Sequence, residues 1–389
     1  MNSKERVLKS INHEEPDRVP YDLAGTTVTA ITSNAYINAM NYKRFSIEYQ
    51  LPVTDPIQQI VTPVEENLVK LKSDTRRIGA RRIPEYVSQG KVIGKLEMVT
   101  DFYGCNWERN PEKDLYFNQV TFPLEKYETL SECVHKIHYS DWDNYVSILH
   151  RDLANQMKTI DGYCCIADRH VAGLTENSLR IRGYEKWYMD TVIDKIGVEL
   201  LLDKILYDKI RYWDILIDWA VQKDCQDRIN IISECDDLGS QSATIIDPDD
   251  LRKMVIPRFK ILFDHIKKRL PAVKLFMHSC GAIREVIPDL IEAGLDILNP
   301  VQYTANGMGL IDLKKDFGND LVFWGGGVDT QTVLNSGSPE LVRDIVKENL
   351  DILAPGGGFV FAPVHNIQDD VPPENFWAMW ETLQEYGKY

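Results

Sequence analysis

The stretch KLFMHSCGAIREVIPDLIEAGLDILNPVQ, Lys274–Gln302, changes its period twice. Leu275, Phe276 and Met277 form a short apolar run, Ile283, Ile287, Leu290 and Ile291 recur at helical spacing, and Ile297 and Leu298 open a second short run. A short run, a helical face and another short run make a parallel β–α–β unit.

The same unit recurs on both sides. Candidate strands are RVPYDL (18–23), GYCCIADRH (162–170), INIISECDD (229–237), VKLFMHSC (273–280), DILNPVQ (296–302), LVFWGGGVD (321–329) and GFVFAPVHN (358–366). An eighth is expected between Lys70 and Trp107. SPELVRDIVKENLDILAP carries a capping Ser338, Glu340 two residues on and an apolar face that ends before Pro355. Eight such units predict an α/β fold, a (β/α)8 TIM barrel with an N-terminal helical segment and helical insertions. No GxGxxG follows the first strand, so a dinucleotide-binding sheet has no support. Residues 41–73 and 175–221 read as mainly helical insertions or caps. With no linker or internal repeat, residues 1–389 are expected to form one domain, 1–75 being a helical extension plus the first strand.

The 389 residues include 44 basic and 59 acidic side chains, a formal charge of −15, which argues against general affinity for nucleic acid or anionic lipid. No apolar run approaches membrane-spanning length, and MNSKERVLKSINHEEPDRVP has neither an apolar signal core nor a cleavage site, so a cytoplasmic location is expected. Seven cysteines without a CxxC pair suit reduced thiols, and any metal site must be assembled from distant segments.

In such barrels the C-terminal ends of the strands build the active site. Here those ends are Cys235-Asp236-Asp237, His278-Ser279-Cys280, Asn299-Pro300-Val301-Gln302, Val328-Asp329 and His365-Asn366. His278 and Cys280, two apart on a strand, point to one side, and imidazole with thiolate makes a good zinc pair. Cys235 and Asp237 share one face while Glu234 and Asp236 share the other; three acids so close repel unless one is protonated, binds a cation or contacts substrate, or unless the run is a solvated turn with an acidic cap. Asp329 follows Gly325-Gly326-Gly327 and His365 follows Gly356-Gly357-Gly358, where glycine permits close backbone approach to a ligand or a plain turn. Cys164 and Cys165 alternate faces and read as core.

PDRVPYDLAG, DDLGSQ, MHSCGAIREVIPDLIEAGLDILNPVQ, FWGGGVDTQ and PVHNIQDDVPPEN, in that order, resemble the uroporphyrinogen decarboxylase superfamily, most densely from Asn230 to Asn375. The resemblance implies a (β/α)8 barrel, often dimeric, and two chemistries. Members that decarboxylate uroporphyrinogen carry an arginine-rich RQAGRY-type segment after the first strand; here YDLAGTTVTAITSNAY has no arginine, so that activity is not expected. The other chemistry is methyl transfer by the cobamide-dependent methyltransferases, in which zinc is held by an HxC plus a Cys near the last strand. His278 and Cys280 match the HxC, but LAPGGGFVF places Gly357 where the second Cys would stand. A third metal ligand must then come from Asp237, Cys235, Asp329 or His365.

The resemblance therefore implies a corrinoid-dependent, O-demethylase-like methyltransferase moving methyl groups between a small substrate and a corrinoid-binding protein partner, with zinc as Lewis acid. His278 and Cys280 are the candidate metal ligands; Asp237, Asp329 and His365 the candidate catalytic residues; Gln302, Tyr303, Asn366 and Asp22 the candidate substrate contacts. Asp237 and Asp329 are expected to work in the barrel mouth and to hold the second ring nitrogen of His278. A uroporphyrinogen-decarboxylase-like lyase and a non-catalytic small-molecule-binding barrel remain as alternatives.

Overall fold

The computed structural model describes residues 1–47, 51–80, 91–93, 96–137 and 142–389. Seven strands, β1 (Thr75–Ile78), β2 (Cys164–Asp168), β3 (Ile231–Cys235), β4 (Lys274–His278), β5 (Ile297–Asn299), β6 (Val322–Trp324) and β7 (Phe359–Val360), lie side by side in sequence order. Every neighbouring pair is parallel. Residues 20–22 supply the eighth stave. Tyr21 pairs in parallel with Phe361, the Phe361 amide donates to the Pro20 carbonyl, and the Asp74 amide donates to the Tyr21 carbonyl. The sheet thereby curls from β7 through residues 20–22 to β1 into a TIM barrel. The expected first strand is this stave, and the one expected between Lys70 and Trp107 is β1.

Alternation along the strands divides the barrel interior. Cys164, Ile166, Ile231, Phe276, Ile297, Val322, Trp324, Val360 and Ala362 form one buried apolar cluster. Val7 and Ile11, on and just after the helix Ser3–Ser10, join it from below. That helix is fixed by an Asn2–Glu5 capping box and by the Ser10 hydroxyl, which donates to the Phe359 carbonyl. Two residues further along the same faces come Asp168, Ser233, His278 and Asn299, all buried. One pleat therefore takes the interior from hydrocarbon to polar groups.

A larger apolar cluster lies between the strands and the surrounding helices. The outward Glu234 of β3 meets Lys209 at 2.6 Å and the indole of Trp213 at 2.7 Å, both from the long helix Lys195–Gln222. Asp236 accepts the amides of Thr175 and Glu176 and so caps the helix Leu174–Arg182. These two partners resolve the expected repulsion among the acids of 234–237.

The insertions differ in part from expectation. Residues 175–221 are helical, in Leu174–Arg182, Tyr184–Ile193 and Lys195–Gln222. Residues 41–73, read as mainly helical, hold the helix Glu65–Lys70 and the end of Ser33–Tyr42, but also the strands Val53–Asp55 and Ile60–Val61, the second lying between the first and Ile31–Thr32 in an antiparallel sheet. β-branched residues on both sides of an Asp-Pro turn favour that outcome. A four-stranded antiparallel sheet, Lys91–Ile93, Leu96–Thr100, Asn106–Arg109 and Asn118–Gln119, was not anticipated. Among the described residues no helix is long and apolar enough to cross a membrane.

Candidate metal centre in the barrel mouth

His278 is the last residue of β4, and the chain beyond it is pinned from three sides. The Ser279 amide donates to the Asn299 carbonyl, the Cys280 amide to Asp237 Oδ1 and the Gly281 amide to Gln302 Oε1. Gly281 has φ +89° and passes so close to Gly239 that a Cβ would stand 2.5 Å from its carbonyl carbon, so only glycine fits. The motifs DDLGSQ and HSCG are thus two halves of one backbone contact.

This turn holds the Cys280 sulfur 3.3 Å from His278 Nε2. The His365 ring lies 6.0 Å from that of His278, centre to centre. One donor atom from each of His278, Cys280 and His365 falls within 4.8 Å of the others. Tetrahedral zinc with bonds of about 2.0–2.3 Å separates its ligands by roughly 3.5 Å, a spacing that three donors within 4.8 Å of one another can reach with small side-chain movements. His278 Nδ1 lies 2.5 Å from Asn299 Oδ1, an acceptor, which puts the ring proton on Nδ1 and leaves the Nε2 lone pair facing the cysteine. The Asn299 amide in turn donates to the Trp324 carbonyl.

Charge in the mouth is arranged to keep these donors neutral. Burial lowers the pKa of His278 to about 4, with the Arg169 charge adding to the effect, and burial with the neighbouring His278 lowers His365 to about 4. Burial, then Asp237 and Glu176, push the Cys280 thiol up. Asp237 is itself raised to about 6 by burial and by Glu176. Glu176 is half-buried, and Arg180 and Arg169 outweigh its desolvation and hold it at about 2. A cation entering here meets two free imidazole lone pairs, with only the thiol to deprotonate.

The other candidate residues fall into different places. Asp237 lies 3.8 Å from His278 Nε2. Cys235 is buried below and lies 3.4 Å from Glu176 Oε2. Gln302 and Asn366, with Cys280 and His365, line a cavity of about 510 Å³ that also takes in Leu115, Tyr116, Gln241, Gln331, Asn335 and Asp370. Asn366 bonds the Ala30 amide, the Thr27 carbonyl and Gln58, and so anchors the loop that presents His365. Asp22 is sealed inside the barrel, bonded to Thr75, the Gly25 amide and the Trp324 indole. Asp329 Oδ2 accepts from Gln331, from the Thr332 amide and from the Thr332 hydroxyl, the bonds of a loop cap, and its own amide donates to the Tyr303 hydroxyl.

The ring nitrogen of His278 expected to meet Asp237 or Asp329 is therefore held by Asn299, because β4 and β5 pair His278 directly with Asn299. Sequence places Asn299 at a strand end but assigns it no role, and it assigns none to Arg169 or Glu176 either. The only signal for those two is charge at the end of IADRH and in LTEN.

The model of the uroporphyrinogen decarboxylase family, URO-D, matches residues 178–386. A methyltransferase from Methanosarcina mazei is similar in structure with a TM-score of 0.65 at 15% identity, covering 99% of both chains. Xylanase 10B from Thermotoga maritima is similar at a TM-score of 0.36 and 13% identity, covering 67% of this chain and 84% of its own. No curated protein matches the sequence. The family match takes in β3 to β7, and with them His278, Cys280 and His365 on more than half of the chain; the chain is a member of the uroporphyrinogen decarboxylase family.

Proposed function

We propose that residues 1–389 act as one barrel domain that transfers a methyl group between a small methylated substrate and a corrinoid carried by a partner protein, with zinc held by His278, Cys280 and His365. The observation that carries this is the gathering of those three donor atoms within 4.8 Å beside the mouth cavity. His365 takes the place left open by Gly357, and two nitrogens with one sulfur make a familiar zinc donor set. The methyltransferase from Methanosarcina mazei, with the same fold over its whole length, supports the reaction class.

Each residue has a task in this scheme. Asn299 fixes the His278 tautomer so that Nε2 offers a lone pair. Asp237, 3.8 Å from that nitrogen and bonded to the Cys280 amide, holds the HSC turn. Gln302 and Asn366 shape the cavity wall. Zinc bound here would act as a Lewis acid on the substrate heteroatom. Decarboxylation of a polycarboxylate has less support: the described residues that line the cavity carry no cationic side chain.

Metal analysis and a methyl-transfer assay with methylcobalamin test the proposal together. One zinc per chain, lost in His365→Ala, and a cobalamin spectrum that changes only with the zinc-loaded protein are the expected results. Stoichiometric zinc in His365→Ala would remove His365 from the site, and metal-independent activity would overturn the mechanism.

A further inference from the structure

Arg169 is the first residue beyond β2 and keeps 5% of its surface exposed. Its Nε and Nη1 groups are buried and have no hydrogen-bond partner. Asp168 Oδ1 stands 3.6 Å from Nη1, beyond hydrogen-bonding range. Asp168 Oδ1 is itself without a hydrogen bond, while other carboxylates nearby have partners. Arg77 reaches Asp168 at 2.7 Å, Arg180 reaches Glu176 at 3.0 Å, and Asp55 accepts the amides of Ile57 and Gln58. A buried guanidinium with unused N–H groups is costly to keep and rare in native structures. Among the described residues these N–H groups have only the Asp168 ion pair, which leaves hydrogen-bonding capacity for a ligand.

Strand register sets its place. Asp168 stands opposite Ser233 on β3, and Cys235 opposite His278 on β4. Arg169 is therefore two strands from His278, about 10 Å at the backbone, a gap that a long side chain and a small ligand span together.

We propose that Arg169 binds the acidic group, a carboxylate or similar oxyanion, of the small methylated substrate and so positions its methylated end toward His278, Cys280 and His365. Guanidinium suits a planar oxyanion better than any other side chain does. A single arginine fits a single acidic group, unlike the eight of a uroporphyrinogen. The inference rests on the methyl-transfer proposal for the far end of the substrate; the anion site stands without it.

Calorimetric titration of metal-free protein, without corrinoid and at constant ionic strength, separates the two. Methoxyacetate should bind at least tenfold more tightly than neutral 2-methoxyacetamide. Arg169→Gln should remove that preference and Arg169→Lys keep part of it. Equal methoxyacetate affinity in wild type and Arg169→Gln, or no preference of the wild type for the acid, would overturn the assignment. Should Arg169→Gln not fold, a crystal of wild type grown with methoxyacetate decides: its carboxylate on the guanidinium supports the site, and water alone there refutes it. Carboxylate binding through Arg169 in a protein that transfers no methyl group would leave the anion site standing and sink the methyl-transfer proposal.

Discussion

The lower and upper halves of the barrel interior stand on the same strands and differ by one pleat. Below, Phe276, Ile297 and Trp324 pack with Val7 and Ile11 into a closed apolar layer. Above, His278, Asn299 and Cys280 form a polar layer in which Asn299 holds the His278 ring and Cys280 faces its Nε2. Apolar burial holds the shape, and the polar layer adds chemistry at a cost in desolvation. The comparison teaches that strand register alone separates scaffold from site, since a shift of one residue would exchange the two faces.

The largest expected effect lies in the lower layer. Phe276→Ala should cost about 3–5 kcal/mol in urea unfolding, while the folded fraction still binds zinc. Loss of zinc affinity at full stability would mean that the two layers are not separate. In the upper layer the effects reverse. Cys280→Ser should weaken zinc about a thousandfold, roughly 4 kcal/mol, in competition with a chelator, and leave the unfolding free energy of metal-free protein nearly unchanged. A Cys280→Ser protein that unfolds more readily but holds zinc would return Cys280 to the core.

Asn299→Ala, which removes the acceptor of the His278 ring proton, should lower zinc affinity about ten- to a hundredfold. Unchanged affinity would show that the ring needs no such support.

Acid provides a test by sign. His365 has an unfolded pKa near 6.5 and a folded value of about 4, so the unfolded chain takes up its proton first. The stabilisation linked to neutral His365 is complete above about 6.5 and is lost as pH falls toward 4. Asp237, raised to about 6, works in the opposite direction over the same window, so wild type must be compared with a variant. Metal-free wild type should lose stability relative to His365→Gln between pH 6.5 and 4; parallel stability curves would show that His365 is not desolvated. The smallest expected effect is Asp329→Asn, below about 1 kcal/mol in unfolding, because an amide oxygen can still cap the loop, with zinc affinity unaltered. A tenfold loss of zinc would place Asp329 in the centre.

Much of the scaffold was legible because parallel strands buried on both faces read as short apolar runs, as in NIISEC and VKLFM. The sheet formed by 91–119 was not, since strands such as KVI and LEMVT lie in an insertion where no helix-strand alternation marks them. The HxC pair was legible from spacing, and His365 as one of four candidates for a third donor. The roles of Asn299, Arg169 and Glu176 were not, because they depend on which strand lies beside which. Asp22 shares the inward face but stops below the mouth, bonded to Trp324 and Thr75.

The stave at residues 20–22 sets the order of biosynthesis. Tyr21 must wait on the ribosome until Phe361 has been made before the ring can shut. Until then the stave at residues 20–22 and the most recently made strand each present an open edge, and contacts so distant in sequence form slowly. Substitutions near Tyr21 or Phe361 should therefore reduce soluble yield more than they reduce the stability of the finished barrel.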